Sequence, residues 1–381
     1  MHELNAQSQI NSRARSLHRK QKNGETGMRL IIGMVIALAG SALFAGISFA
    51  QTSTPPVADS APLWTATAPG RPTLLLLPTI HKLAADDPRI DDRLSQVASR
   101  AEALVLEGPL TVSKKELPTV FRYGQYGPQD NITNHVSTLT AEALARCARQ
   151  SEEDIVRFFQ LKPWLAALTV DGARMAGRLP NQIKNGKPSP LSAGIDERLL
   201  RIAQRNMMPV IYLETLSRAM KMFDDMPADE QEAYLKNRCA GLTGPAPGEL
   251  DLGELEQAWL DSDMARIERL LTTRDPLENQ SVYDANQYIL HDGTKIFATA
   301  IERYGYFHGK GPILIAVGAA HFFGDDSLLE RLKADGYTIT PPPGVVRTAC
   351  GQKTQNTDTA SQPSARRSVS AVCPARPTQA G

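Results

Sequence analysis

The sequence predicts an α/β protein with a mainly parallel or mixed central sheet, covering helices, a helical insertion and two weakly related halves. Three observations carry this. Four short apolar runs, at 73–77, 103–106, 210–213 and 313–317, are too short for helices and are bounded by breakers, as buried strands are. Helical patterns lie between and after them, the spacing of parallel strands joined by crossovers. Finally, the stretch 74–81 is echoed by 314–321. Each is an apolar strand, then three small or turn-compatible residues, then a histidine.

The elements follow in order along the chain. Residues 88–101 place Ile90, Leu94, Val97 and Ala101 at helical spacing. The middle reads as helix at 140–159, 163–177, 215–223, 229–238 and 249–271, and strand signals are absent there apart from the run at 210–213. These stretches are expected to form a helical insertion capping one side of the sheet. Residues 196–205 carry Leu199, Leu200 and Ile202. A long helix is expected over 284–304, with Ile289, Ile296, Phe297, Ala300 and Ile301 on one side. A last helix spans 326–335, with Gly336 just past it as a C-cap.

The ends differ from the middle. Leu30 to Ala50 holds no charged residue across 21 positions, follows Arg29 and a looser basic run, and exits through Ser48-Phe49-Ala50. That layout predicts a signal peptide cleaved after Ala50, with a retained membrane anchor as the alternative. The expected organisation is a basic leader at 1–27, the export segment at 28–50, a polar linker at 51–60, a folded domain at 61–349 and a disordered tail at 350–381. The protein is thus expected to be periplasmic or secreted, or else anchored through residues 30–50. Net charge is +1 overall, but residues 1–50 carry +4 and 351–381 carry +3, which leaves −6 for the middle. An acidic folded region argues against nucleic acid, which demands clustered positive charge. Four cysteines, Cys147, Cys239, Cys350 and Cys373, allow three pairings in an oxidising compartment. Cys147–Cys239 is the plausible pair inside the domain.

Four polar groups project from the carboxyl ends of the four predicted strands: His81, Glu107, Glu214 and His321. In open α/β sheets that edge binds ligands. Two imidazoles and two carboxylates converging there can hold a divalent cation or carry out acid–base chemistry. His135, His291 and His308 lack partners at ligand spacing and read as surface or packing residues. Trp64, Trp164 and Trp259 read as packing residues, and Met207 and Met208 as core filler.

Beyond these features, Leu63-Trp64, the stretch 74–81, the strand at 103–106 closed by Glu107, and Gly318-Ala319-Ala320-His321 occur in a fixed order. Leu161-Lys162-Pro163-Trp164, Gly194-Ile195-Asp196, Leu213-Glu214-Thr215 and Gly336-Tyr337 accompany them. Together they resemble the TraB/GumN family, a group that includes the Tiki membrane proteases and the PrgY pheromone-control proteins. The resemblance implies an erythromycin-esterase/ChaN-like fold, in which two related halves meet at a cleft. It further implies a metal-dependent, peptidase-like hydrolase. By position, His81, Glu107 and His321 become ligands of a divalent ion of the Mn, Co or Zn type. Glu107 and Glu214 become the catalytic carboxylates, and a peptide or small molecule the ligand. The alternative implied is a non-catalytic envelope protein that sequesters a peptide or a haem-like ligand. Two departures stand out: Pro78 where the family has Gly, and Ala285-Asn286 where members commonly have Arg-Asn.

Overall fold

Strands that are apolar on both faces need cover on both sides, and this chain supplies it with helices. The computed structural model describes residues 61–177, 191–242, 250–304 and 311–342, plus the backbone of 183–184 and 187–188. All of them belong to one unit spanning 1–345. The export segment, the linker, the tail, Cys350, Cys373 and His308 lie outside the described residues. No described helix is long and apolar enough to cross a membrane.

The six-stranded sheet begins with β1 (Trp64–Thr67) and β2 (Leu74–Thr79). It continues with β4 (Ala103–Leu106), β8 (Val210–Tyr212), β9 (Ile313–Gly318) and β10 (Thr338–Thr340), in the spatial order β10-β1-β2-β9-β4-β8. The four strands expected from sequence are the four parallel ones, β2, β9, β4 and β8. Every residue of β2 and β9 is buried. β1 and β10 add an antiparallel edge that was not expected. Four two-residue strands also form: β3 (Lys82–Leu83) pairs with β7 (Ser192–Ala193), and β5 (Ile183–Lys184) with β6 (Lys187–Pro188). The order places β9, late in the chain, between β2 and β4.

Twelve helices surround the sheet among the described residues. α1 (Pro88–Ala98) starts where the Asp87 carboxylate accepts the Arg89 N–H and Pro88 needs no partner. The stretch expected as one helix over 140–159 forms two, α3 (Thr138–Gln150) and α4 (Ile155–Phe159), because Glu152 turns left-handed at φ 60°. The stretch 249–271 likewise forms α9 (Leu252–Leu260) and α10 (Met264–Thr272), broken at Ser262 with φ 52°. An unexpected helix, α2 (Leu117–Gly124), precedes them. α6 (Ile195–Arg205), α7 (Leu216–Asp225), α8 (Ala228–Ala240) and α12 (Leu328–Ala334) follow the sequence closely, and Gly336 takes φ 89° after α12. α5 (Pro163–Met175) is buried along most of its length, and α11 (Gln280–Tyr304) is the long helix before β9.

Two apolar cores result. One wraps the sheet and holds Trp64 and Trp259. The other lies within the insertion, among α2, α3, α5, α7 and α8, and holds Trp164. A disulfide, Cys147–Cys239, ties α3 to α8 there. Met207 departs from expectation: it is 91% exposed.

Candidate functional site

The strand order sets the site. His81 follows β2, His321 lies in the 3-10 turn after β9, Glu107 follows β4 and Glu214 lies just past β8. These are four adjacent parallel strands, so the side chains line one sheet edge in the order His81, His321, Glu107, Glu214. Backbone pairing continues past β8, since the Glu214 N–H donates to the Glu107 carbonyl at 2.8 Å.

Glu107 is the hub. Its Oε2 lies 3.7 Å from His81 Nε2 and its Oε1 lies 3.9 Å from His321 Nε2. Oε1 also accepts the Gly318 backbone N–H. A Cβ at Gly318 would come within 3.1 Å of Glu107 Oε1 and 3.2 Å of His81 Nε2, so only glycine keeps this space open. Gly318 has φ −52°, so the requirement here is room, not left-handed backbone.

Each imidazole is held from behind. His81 Nδ1 faces Asp196 Oδ2 at 3.4 Å. The Gly194-Ile195-Asp196 motif explains how: a Cβ at Gly194 would strike the His81 carbonyl, and the Ile195 N–H donates to the Ile80 carbonyl at 2.9 Å. His321 Nδ1 lies 2.7 Å from Thr294 Oγ1 on α11. That hydroxyl donates its hydrogen to the Leu290 carbonyl at 2.6 Å and so accepts from the imidazole, and the Leu290 carbonyl itself also accepts from the His321 ring. The neutral His321 ring therefore carries its proton on Nδ1 and turns the Nε2 lone pair toward Glu107. Burial, the largest influence on His321, lowers its pKa and keeps it neutral, although the Glu107 charge works against this. For His81, burial also lowers the pKa, but the charges of Glu107 and Asp196 together outweigh it and raise the pKa. Its ring keeps 57% of its surface open to a cavity, so water tempers all of these effects. Burial and the Glu107 charge raise Glu214 to about 7, against a weaker opposing pull from Arg218.

A cavity of about 360 Å³ opens on this edge, lined by His81, Glu107, Asp196 and Glu214 among others. Three buried polar atoms on its wall, Thr79 Oγ1, Asp196 Oδ1 and Glu214 Oε1, have no hydrogen-bond partner among the described residues. Native proteins rarely leave such atoms unpaired without a ligand or water to meet them.

A family model, TraB/PrgY/gumN, matches residues 62–341. The chain belongs to the TraB/PrgY/gumN family. No curated protein and no solved structure matches it. In this TraB/PrgY/gumN protein the two departures turn out differently from one another. Pro78 is the next-to-last residue of β2, beyond the ladder with β1, which stops at Leu76. A missing N–H costs least there. The Pro78 carbonyl accepts the Trp259 indole N–H at 2.9 Å. Ala285 is fully buried in the second core and does not line the cavity. Asn286 bonds Glu278 at 3.1 Å.

The donor set suits a divalent ion once His81 gives up the proton that its raised pKa retains: two imidazole Nε2 atoms flank one carboxylate, with each Nδ1 held by a second partner. The geometry is open, however. Donors sharing a tetrahedral ion at about 2.0–2.1 Å stand about 3.3–3.4 Å apart. The separations of 3.7 and 3.9 Å are a few tenths wider. Among the described residues no group of three His, Cys, Asp or Glu is closed enough to hold a metal as it stands. Away from the cavity, His135 and His291 each do have an acidic partner, Asp130 at 2.8 Å and Asp326 at 2.5 Å, in exposed ion pairs. Asp196 and Thr294 are the site residues that sequence reasoning missed. Gly194-Ile195-Asp196 was a visible signal for the first, and nothing in the sequence marked the second.

Proposed function

We propose that this protein is an exported, metal-dependent hydrolase acting on peptides, with His81, Glu107 and His321 holding a divalent ion of the Mn, Co or Zn type. The reading is carried by two imidazole Nε2 atoms converging on one carboxylate, 3.7 Å and 3.9 Å from the Glu107 oxygens, with each ring's Nδ1 held from behind. Three donors so placed suit a divalent cation, and they must draw together to seat it. A bound divalent ion would polarise a carbonyl and activate water. The chain's own residues do the rest. Asp196 and Thr294 fix the two rings. The Gly318 N–H steadies Glu107. Glu214, titrating near neutral pH and lining the same cavity, can take up and return a proton. Export is supported by the charge-free stretch 30–50 and by the Cys147–Cys239 disulfide, a bond that persists in oxidising compartments.

The test is metal analysis of protein purified from its native compartment. About one divalent ion per chain is expected, lost in His81→Ala and His321→Ala. Equal metal content in all three proteins would defeat the proposal. The open donor geometry favours a second reading, a non-catalytic protein that binds a peptide or a haem-like ligand. Peptide turnover that disappears in Glu107→Ala would rule this out.

A further inference from the structure

The cavity has a second wall that the chemistry above does not use. Away from the strand edge it is lined by Leu168 and Met175 of α5 and by Leu216, Met220 and Phe223 of α7. It lies where the sheet core and the insertion core meet, since Leu168, Leu216 and Met220 belong to the insertion core and Phe223 packs against both. The cleft is open to solvent, and its volume of about 360 Å³ is room enough for a side chain or small ligand. Clefts of this size with apolar walls and a few polar groups at one end are characteristic of ligand sites.

Charge narrows the occupant. Glu107, Asp171, Asp196, Glu197 and Glu214 all line the cavity. Apart from His81, the one basic lining residue among the described residues is Lys82, and its Nζ is held by Glu197 at 3.3 Å with both side chains buried. Asp171 is itself paired with Arg238 at 3.1 Å, and Glu197 with Lys82 and Arg201. An acidic group entering the cavity would therefore face Glu107, Asp196 and Glu214 at the strand edge, with no lining lysine or arginine left to meet it.

We infer that this wall is the specificity pocket of the same site: it takes an uncharged apolar side chain of a peptide, next to the bond at the strand edge, and rejects acidic residues. The assignment of that edge as the reacting centre rests on the reading above; the pocket itself does not. Met175 and Met220 supply direct probes. With methyl-labelled methionine, titration with N-acetylphenylalaninamide should shift the resonances of both, assigned through Met175→Leu and Met220→Leu. N-acetylglutamic acid amide at equal concentration should leave them in place. Met220→Glu should weaken the apolar amide by about 10-fold or more, since removing apolar contact and adding charge both act against it. Met220→Leu should keep the binding and shows whether position 220 tolerates substitution. Each titration is repeated on His321→Ala with metal content measured in parallel. Apolar binding without metal in the parent protein upholds the pocket and defeats the hydrolase reading. Metal without apolar binding defeats the pocket alone. Equal binding of the acidic and apolar amides also overturns the inference.

Discussion

Replacing Thr294 by valine removes one hydroxyl and little volume. Thr294 is buried, at 2% exposure, and its Oγ1 is one of two acceptors behind His321, the other being the Leu290 carbonyl. Without it only the Leu290 carbonyl is left behind the ring, so the orientation of His321 is less fixed. The metal-free protein loses one hydrogen bond, and its stability should fall by no more than about 1–2 kcal/mol. Metal binding suffers more, because a ring held less firmly presents its Nε2 to the ion less often. Loss of an outer-shell partner typically costs 10–100-fold in metal affinity, or about 1.4–2.7 kcal/mol. Competition against a chromophoric chelator, using zinc, cobalt and manganese in turn, measures the affinity. Thermal unfolding in excess chelator measures the metal-free stability. Thr294→Ser keeps the hydroxyl and should bind metal like the parent. If valine and serine variants bind metal equally well, the hydroxyl does not position His321, and its role behind the ring is refuted.

Three further outcomes are expected. Gly318→Ala should keep its far-UV circular dichroism but lose metal, because its φ of −52° suits alanine while the added Cβ crowds Glu107 Oε1 and His81 Nε2; retained metal would mean that the space is not needed. Removing the disulfide with Cys239→Ser should lower stability to urea by about 2–4 kcal/mol, below the roughly 4.6 kcal/mol that loop entropy gives for a separation of 92 residues; an unchanged midpoint would deny the bond a structural role. Glu232 is buried enough to raise its pKa, yet bonds from Ser137 and Thr140 at the start of α3 outweigh this and lower it below 4.5. A depressed carboxylate contributes stability above its unfolded pKa and loses it as pH falls through the folded value. Glu232→Gln should therefore be less stable near neutral pH, with the difference from the parent shrinking below about pH 4; a constant difference from pH 7 to pH 3 would contradict this.

Four strands could be read from the sequence because each is an unbroken apolar run, buried in β2, β9 and most of β4 and half-buried in the edge strand β8. The edge strands could not. β1 and β10 pair with each other over only three residues, and β10 alternates exposed and half-buried threonines and isoleucine. The helix breaks were hidden too, because Glu152 and Ser262 adopt left-handed backbone without the glycine that usually announces it. For the site, His81, Glu107, Glu214 and His321 stood out because each follows a legible strand. What the sequence could not show was which strands are neighbours. Nor could it show that helices far away in the chain supply the partners behind the rings, Asp196 from the first turn of α6 and Thr294 from the middle of α11.

The place of β9 in the sheet has a consequence for how the molecule is made. Leu74 of β2 lies opposite Ile313, and Ala103 of β4 lies opposite the same residue. Until the chain has been synthesised past that point, β2 and β4 have no strand between them, and both present unpaired edges rich in leucine and valine. Such edges template aggregation. Pairing across so long a stretch of chain is also slow, because loop closure must precede the contacts that reward it. A chain emerging from its amino end therefore carries an open seam at the centre of its sheet until almost the entire domain is out. The same strand that closes the seam brings in His321. Structural completion and assembly of the candidate site thus become one late event, and no shorter, half-built form can expose a working cleft.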